Sequence, residues 1–225
     1  MTIRDYAESF GEKLMGMFPK IIYKVRIKDK LVALTFDDGP HPLFTNELLD
    51  LFEENGIKTT FFVTGSSIEK HKKIISRMIA EGHELGNHSY SHKNLIFKKK
   101  SMIKEEIEKT DRLLRELGVK SDIHFRPPFG RFLFAASSVL ASLNKKVIMW
   151  NVPTRDFKEN DSNVILKRIY KRIKPGSIIV LHDSGIERPG KKIDRQATIN
   201  AVKVLIEELP KRGYKFKTVS ELINY

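Results

Sequence analysis

The decapeptide Leu31-Val32-Ala33-Leu34-Thr35-Phe36-Asp37-Asp38-Gly39-Pro40 holds a strand and its end in one piece. Six residues of apolar or β-branched character fit a buried strand, and a Gly-Pro pair then forces a turn. Adjacent side chains on a strand point to opposite faces. Where the strand gives way to the turn, both carboxylates can converge on one site. Two close carboxylates repel unless a cation or a proton lies between them. Asp-Gly-Pro is also ordinary turn chemistry, so the pair needs partners before it means more.

Outward from this strand, short apolar runs alternate with helical patterns. Candidate strands are Leu31–Phe36, Thr59–Val63, His83–Gly86, Ile123–Arg126, Lys146–Trp150, Ser177–Leu181 and Tyr214–Phe216. Helical spacing is read over 44–54, 67–81, 99–117, 132–142, 161–173, 196–212 and 218–223. Strand alternating with helix implies parallel strands joined by crossover helices. About seven such units in one domain suit an α/β fold of the (β/α) barrel kind, closed or nearly so, whose active site lies at the C-terminal strand ends. The polar residues gather at those ends: Asp37 and Asp38, His88 and His92, Arg126, Asp156, then His182 and Asp183. Residues 1–30 combine a helical half (5–17) with an extended half (21–27), expected to pack on the bottom or side of the barrel. Residues 31–225 read as a single catalytic domain.

The chain has 225 residues, a formal charge of +13 and no cysteine. Disulfides and thiolate ligands are excluded, so a metal would rest on N and O donors. Such a field favours polyanions such as nucleic acid, anionic lipid or acidic wall polymers, but a solvated basic surface is the plainer reading, and no nucleic-acid-binding signature accompanies the charge. No apolar run reaches the length of a membrane span or a signal peptide, which places the protein in the cytoplasm as written, or outside the cell if a leader was removed.

His88 and His92 stand four apart in His88-Ser89-Tyr90-Ser91-His92, a spacing that puts two imidazoles around one site. With one carboxylate they form a ligand set for a divalent metal with open positions, and the second carboxylate is then free to act as a base. His41, His71, His83 and His124 lack such pairing and read as structural or surface residues, although His41 lies just past the aspartate pair. Arg126-Pro127-Pro128-Phe129-Gly130 is a rigid segment in which the Phe129 and Gly130 N–H groups remain available to an oxyanion, while Arg126 can hold a carboxylate. His182 ends a buried strand and suits a general acid. Asp156 is the candidate to orient it, Asp183 the competitor, and Leu181 points to an apolar pocket wall.

In these segments the chain resembles the polysaccharide deacetylase family, the NodB-homology or carbohydrate esterase family 4 domain, over residues 31 to 223. Thr35–Pro40, His88–His92, Arg126–Gly130, Pro153–Phe157 and Leu181-His182 match its five motifs in order. The resemblance implies a distorted barrel that removes N-acetyl or O-acetyl groups from sugars with a divalent metal. Zinc comes first, with cobalt, nickel or manganese also accepted. It implies Asp37 as general base, Asp38, His88 and His92 as metal ligands, and Arg126 as the residue orienting Asp37. The Phe129 N–H would serve the oxyanion, Leu181 the acetyl methyl pocket, and His182 the leaving amine, with Asp156 tuning it. Pro128 and Tyr90 would join Phe129 along the substrate groove. Pro153 and Phe157 depart from the fourth motif, which carries Asp and Trp there. The implied partner is an acetylated glycan. Two competing readings are an amidohydrolase acting on a small cytoplasmic amide or acetylated sugar, and a non-catalytic glycan- or polyanion-binding protein.

Overall fold

The structure, a computed structural model, describes residues 18–185 and 193–225. Its strands are β1 (Ile21–Ile22), β2 (Leu31–Asp37), β3 (Thr60–Val63), β4 (Glu84–Asn87), β5 (Val147–Ile148), β6 (Val152–Pro153), β7 (Ser177–His182) and β8 (Lys215–Phe216). Its helices are α1 (Phe44–Glu54), α2 (Gly65–Lys70), α3 (Lys72–Ala80), α4 (Lys100–Glu116), α5 (Phe134–Ser142), α6 (Ser162–Arg172), α7 (Gln196–Lys211) and α8 (Val219–Ile223).

β2 is the hub. It pairs in parallel with β7 along its length, with β8 at its start and with β3 at its C-terminal end. β3 continues to β4, and β7 to β6. Single parallel bridges from Asn87 to Phe125 and from Phe125 to Val147 carry the wall on to β5, which pairs with β1. The result is a distorted, nearly closed barrel of parallel strands, as the alternation of elements predicts.

Three differences from the sequence reading have local causes. Ile123–Arg126 contributes only Phe125 to the pairing, because Pro127 and Pro128 follow and supply no N–H to a ladder. The helix expected over 67–81 breaks at His71 into α2 and α3. β6 was not expected, since two residues leave no periodic signal. The extended half of the N-terminal segment does lie on the barrel: β1 joins β5, and the Val25 N–H donates to Gly176 O at 2.9 Å. The helix expected over 5–17 falls outside the described residues.

Strand alternation divides the core. Leu34, Phe36, Phe61, Val63, Ile179 and Leu181 face outward and pack under the helices, with α1 supplying Leu48, Leu49 and Phe52, and α7 Val202 and Leu205. A second cluster joins Ile103 and Ile107 of α4 to Ala136, Val139 and Leu140 of α5 over Phe125 and Val147. Ala33, Phe62, Ile148 and Ile178 point into the barrel, and Val219 and Leu222 of α8 pack against them from below. A capping box made by Thr218 and Glu221 starts α8, and the buried Glu84 carboxylate accepts from the Ser220 N–H at 3.0 Å and its hydroxyl at 2.6 Å.

Gly176 has φ +77°, and a Cβ there would overlap Val25 O. Gly176→Ala is expected to cost more than about 1 kcal/mol, since it meets both backbone strain and the docked N-terminal segment. Urea unfolding monitored by circular dichroism gives the value.

Candidate active site

Arg126 has no exposed surface. Its Nη1 donates to Asp37 Oδ1 at 2.6 Å and to Thr35 Oγ1 at 2.7 Å, and its Nε to Ile148 O at 3.0 Å. The guanidinium lies 4.0 Å over the Phe62 ring. Every bond comes from the barrel interior, so β2, β3 and β5 jointly fix where the Asp37 carboxylate stands. The expected pairing of Arg126 with Asp37 is thus present.

Asp38 follows with φ +77°, a left-handed backbone that turns its side chain toward the loop after β4. Its Oδ1 is 3.0 Å from His92 Nε2 and 3.5 Å from His88 Nε2. That oxygen is buried yet accepts no properly angled hydrogen bond. Burial raises the Asp38 pKa, but the two imidazoles and the nearby His182 outweigh it and hold the carboxyl well below its ordinary range. His88 Nδ1 lies 2.7 Å from Arg126 O, so the proton belongs on Nδ1 and the Nε2 lone pair faces Asp38. Ligand atoms of Asp38, His88 and His92 lie within 4.8 Å of one another. An orphaned carboxylate oxygen facing two imidazole nitrogens fits a divalent cation.

The histidine loop is held by residues that no motif announced. Ser89 and His92 both have positive φ, at 63° and 53°. Glu106, buried on α4, accepts from the Ser91 N–H at 2.7 Å and the Ser91 hydroxyl at 2.6 Å. Asn87 accepts from the Ser89 N–H at 2.8 Å and donates to Ile107 O and Asp111 Oδ1, each at 2.8 Å. The Gly65 and Ser66 N–H groups donate to Ser89 O and Tyr90 O. The many charges of α4 hid Glu106 among them, and only its position one turn from Ile103, on the buried face, could have flagged it.

His182, at the end of β7, faces Asp156. The Nδ1 to Asp156 Oδ1 distance is 2.8 Å, and the His182 N–H donates to Asp156 Oδ2 at 2.8 Å. Thr154 and Thr198 hydroxyls, each at 2.9 Å, complete the carboxylate's partners. Burial lowers the His182 pKa, but the Asp156 charge and hydrogen bond prevail and push it up to about 9. Asp183, the competitor, is turned elsewhere. Its Oδ2 accepts from the Thr45 hydroxyl, and it packs so closely on Gly39 that a Cβ there would overlap its carboxylate. Burial, with Asp38 and Asp37 nearby, pushes it up to about 7.

The remaining candidates divide. Phe129 sits in a 3₁₀ turn, Pro128–Gly130, at φ 61°, half exposed, its ring edge-on to His92 at 4.7 Å. Gly130 N–H donates to Pro127 O at 3.0 Å, so of the two amides in this turn Phe129's is the one left to face a substrate. Phe157 is likewise exposed and edge-on to His182 at 5.1 Å. Pro153 lies in β6 opposite Val180. Pro128 is buried beneath the turn. Leu181 is buried in the outer core, on the opposite face of β7 from His182. The same-face neighbour of His182 is Val180, and the period of two would have identified it. Tyr90 turns to α2 and α4: its hydroxyl donates to Glu69 Oε2 at 2.7 Å and Lys109 Nζ sits 3.5 Å from its ring centroid.

The chain matches the polysaccharide deacetylase family model over residues 24–148. It is 31% identical over 207 residues to a peptidoglycan-N-acetylglucosamine deacetylase of Bacillus cereus, covering 91% of this chain and 93% of that one. A crystal structure of a peptidoglycan N-acetylglucosamine deacetylase in complex with 4-naphthalen-1-yl-N-oxidanyl-benzamide superposes with TM-score 0.83 at 30% identity, covering 96% of each chain. A carbohydrate esterase family 4 pseudoenzyme from Bacillus anthracis superposes with TM-score 0.80 at 26% identity, covering 91% of this chain and 69% of that one. Fold alone therefore does not establish activity, and the weight falls on the side chains described above.

Three outcomes follow from this geometry. Because the folded His182 pKa lies above its ordinary 6.5, the pair with Asp156 stabilises the metal-free fold fully below pH 6.5 and that contribution is lost as pH rises through about 9. Asp156→Asn is expected to remove the strongest support of the His182 proton, leaving burial opposed only by the Asp38 and Asp37 charges, and so to lower the His182 titration from about 9 in an NMR histidine titration. Glu106→Ala is expected to weaken zinc binding about tenfold by freeing the Ser91 amide and loosening the loop that carries His92, measured by competition with a chromogenic chelator.

Proposed function

This chain belongs to the polysaccharide deacetylase family, and on that premise we propose that it hydrolyses the acetamide of N-acetylglucosamine-type units in a glycan, releasing acetate. The observation that carries the proposal is the joint placement, at one end of the barrel, of two differently prepared ionisable pairs beside one ligand set. Asp37 is held by Arg126, His182 is held by Asp156, and Asp38 faces His88 and His92. A glycan-binding protein has no use for this pairing.

Asp38, His88 and His92 would hold the divalent ion, with zinc the first choice for two imidazoles and a carboxylate. When bound, such an ion supplies Lewis acidity toward a carbonyl oxygen and lowers the pKa of water. The chain's own residues do the rest. Asp37, oriented by Arg126, accepts the proton of the attacking water. The Phe129 N–H donates to the carbonyl oxygen as negative charge develops there. His182, kept protonated by Asp156, gives its proton to the departing nitrogen. An amine leaves only once protonated, so a strongly supported acid favours the amide over the ester. The exposed faces of Phe129 and Phe157 flank the site on the His92 and His182 sides and offer apolar surface to neighbouring sugar rings. That open, two-sided rim suits a polymer or oligomer better than a small enclosed amide.

Residues 31–225 form the proposed catalytic unit and residues 1–30 an extension of it, whose described part, from residue 18, lies on the barrel through the pairing of β1 with β5.

Asp37→Asn is expected to keep zinc bound, by metal analysis, and to lower acetate release from N-acetylglucosamine oligomers by about 10² to 10⁴. Loss of zinc in that variant would exchange the two aspartate roles. Chelator treatment of the native protein should abolish release from chitooligosaccharides and peptidoglycan fragments, and zinc should restore it. No release from either glycan in zinc-loaded protein would sink the proposal.

A further inference from the structure

The segment after His92, Lys93-Asn94-Leu95-Ile96-Phe97-Lys98-Lys99-Lys100, and the segment after Gly130, Arg131-Phe132-Leu133-Phe134, both leave the catalytic end of the barrel. They rest on one apolar cluster, which includes Leu95 from the first and Phe132 and Ala136 from the second. Lys100 Nζ donates to Ser138 Oγ at 3.0 Å and ties the two together. From this shared base three large apolar side chains stand out into solvent: Phe97 is 92% exposed, Phe134 81% and Leu133 42%.

Each of these exposures runs against ordinary folding. Phe97 also has φ 59°, a left-handed backbone that a bulky side chain adopts only at a cost. α5 carries no charged residue at all, so nothing on the helix itself shields the Phe134 ring at its start. The charge around these rings is one-sided. Residues 93–104 contain five lysines and no acid, and residues 131–142 contain Arg131 and no acid. None of Phe97, Leu133 and Phe134 is in ring contact with a site residue, unlike Phe129 and Phe157. Phenylalanine and leucine lack the polar edge that tyrosine and tryptophan offer to a sugar's hydroxyls, and leucine has no ring to stack.

We propose that this face is a membrane-docking surface that inserts Phe97, Leu133 and Phe134 into the headgroup–acyl boundary of an anionic lipid bilayer. Lys93, Lys98, Lys99, Lys100 and Arg131 meet the lipid phosphates. Apolar side chains ringed by lysine and arginine are the composition of interfacial anchors, in which apolar burial and attraction to anionic lipid act together. The site mouth, reached through His92 and Phe129, is then held beside the bilayer, where glycan close to the membrane is presented to it.

The test is co-sedimentation of the full chain with sucrose-loaded vesicles, which reads binding without reference to turnover and so fails or succeeds independently of the deacetylase proposal. Binding is expected to equimolar phosphatidylglycerol–phosphatidylcholine vesicles and not to phosphatidylcholine alone, and to weaken with salt. The triple substitution K98Q/K99Q/K100Q should reduce it by about fivefold per lysine, and F97S/F134S by at least about tenfold. Turnover of a soluble chitooligosaccharide should be unchanged in both. Absence of binding to anionic vesicles overturns the proposal, as does binding that F97S/F134S leaves intact. Two further results overturn it by assigning the face elsewhere: a solution dimer that F97S/F134S disperses, or selective loss of activity on polymeric glycan in a protein that ignores vesicles.

Discussion

A guanidinium with no exposed surface sits inside this barrel and determines what the rest must do. Removing a charge from water is expensive unless every donor finds a partner. Arg126 meets that demand with the Asp37 carboxylate, the Thr35 hydroxyl and the carbonyls of Ile148 and Met149, over the Phe62 ring. The same bonds that make its burial tolerable fix Asp37 in place. Strand spacing, the turn after Asp37 and the route of the chain through Pro127 and Pro128 all have to agree with that one side chain. Its own carbonyl also sets the His88 tautomer. Base and ligand are therefore positioned by the same residue.

Around this centre the backbone is repeatedly forced into left-handed conformations. Asp38, Ser89, His92, Phe129 and Arg155 all have positive φ. Each such residue costs about 1–3 kcal/mol and persists only where its surroundings over-determine it. Here the surroundings are visible. Asp183 and Gly39 pack against each other behind the first turn, and Glu106 and Asn87 bond the histidine loop from α4 and β4. The price of side-chain convergence is strained backbone, held by contacts from the elements behind the site.

The two ionisable pairs show how one small site sets a proton donor beside a proton acceptor. Asp156 accepts from His182, Thr154 and Thr198, so its charge is fully compensated and it sustains a protonated imidazole. Asp37 has a permanent cation as its partner. Both carboxylates are buried, but one serves a residue that gives a proton and the other is itself available to take one.

The amino-acid sequence alone determined the order of strands and helices, the end of the barrel that carries the chemistry, and most of the residues there, because periodicity and chemically distinctive side chains are local properties. β2, β7 and the bounds of α1 and α7 were legible for that reason. Convergence is not a local property. Which of Asp156 and Asp183 serves His182, which amide of the Phe129 turn stays free, and that Tyr90 turns away to Glu69 and Lys109 were decided only when the chain closed. Leu181 looked like a pocket wall from its neighbour, yet the alternation of β7 gives the His182 face to Val180. Glu106 was marked only by its place one turn from Ile103, and Thr154 and Thr198 by nothing, since a carboxylate on a charged helix and two threonines resemble any others until tertiary contact buries them and leaves them one set of partners.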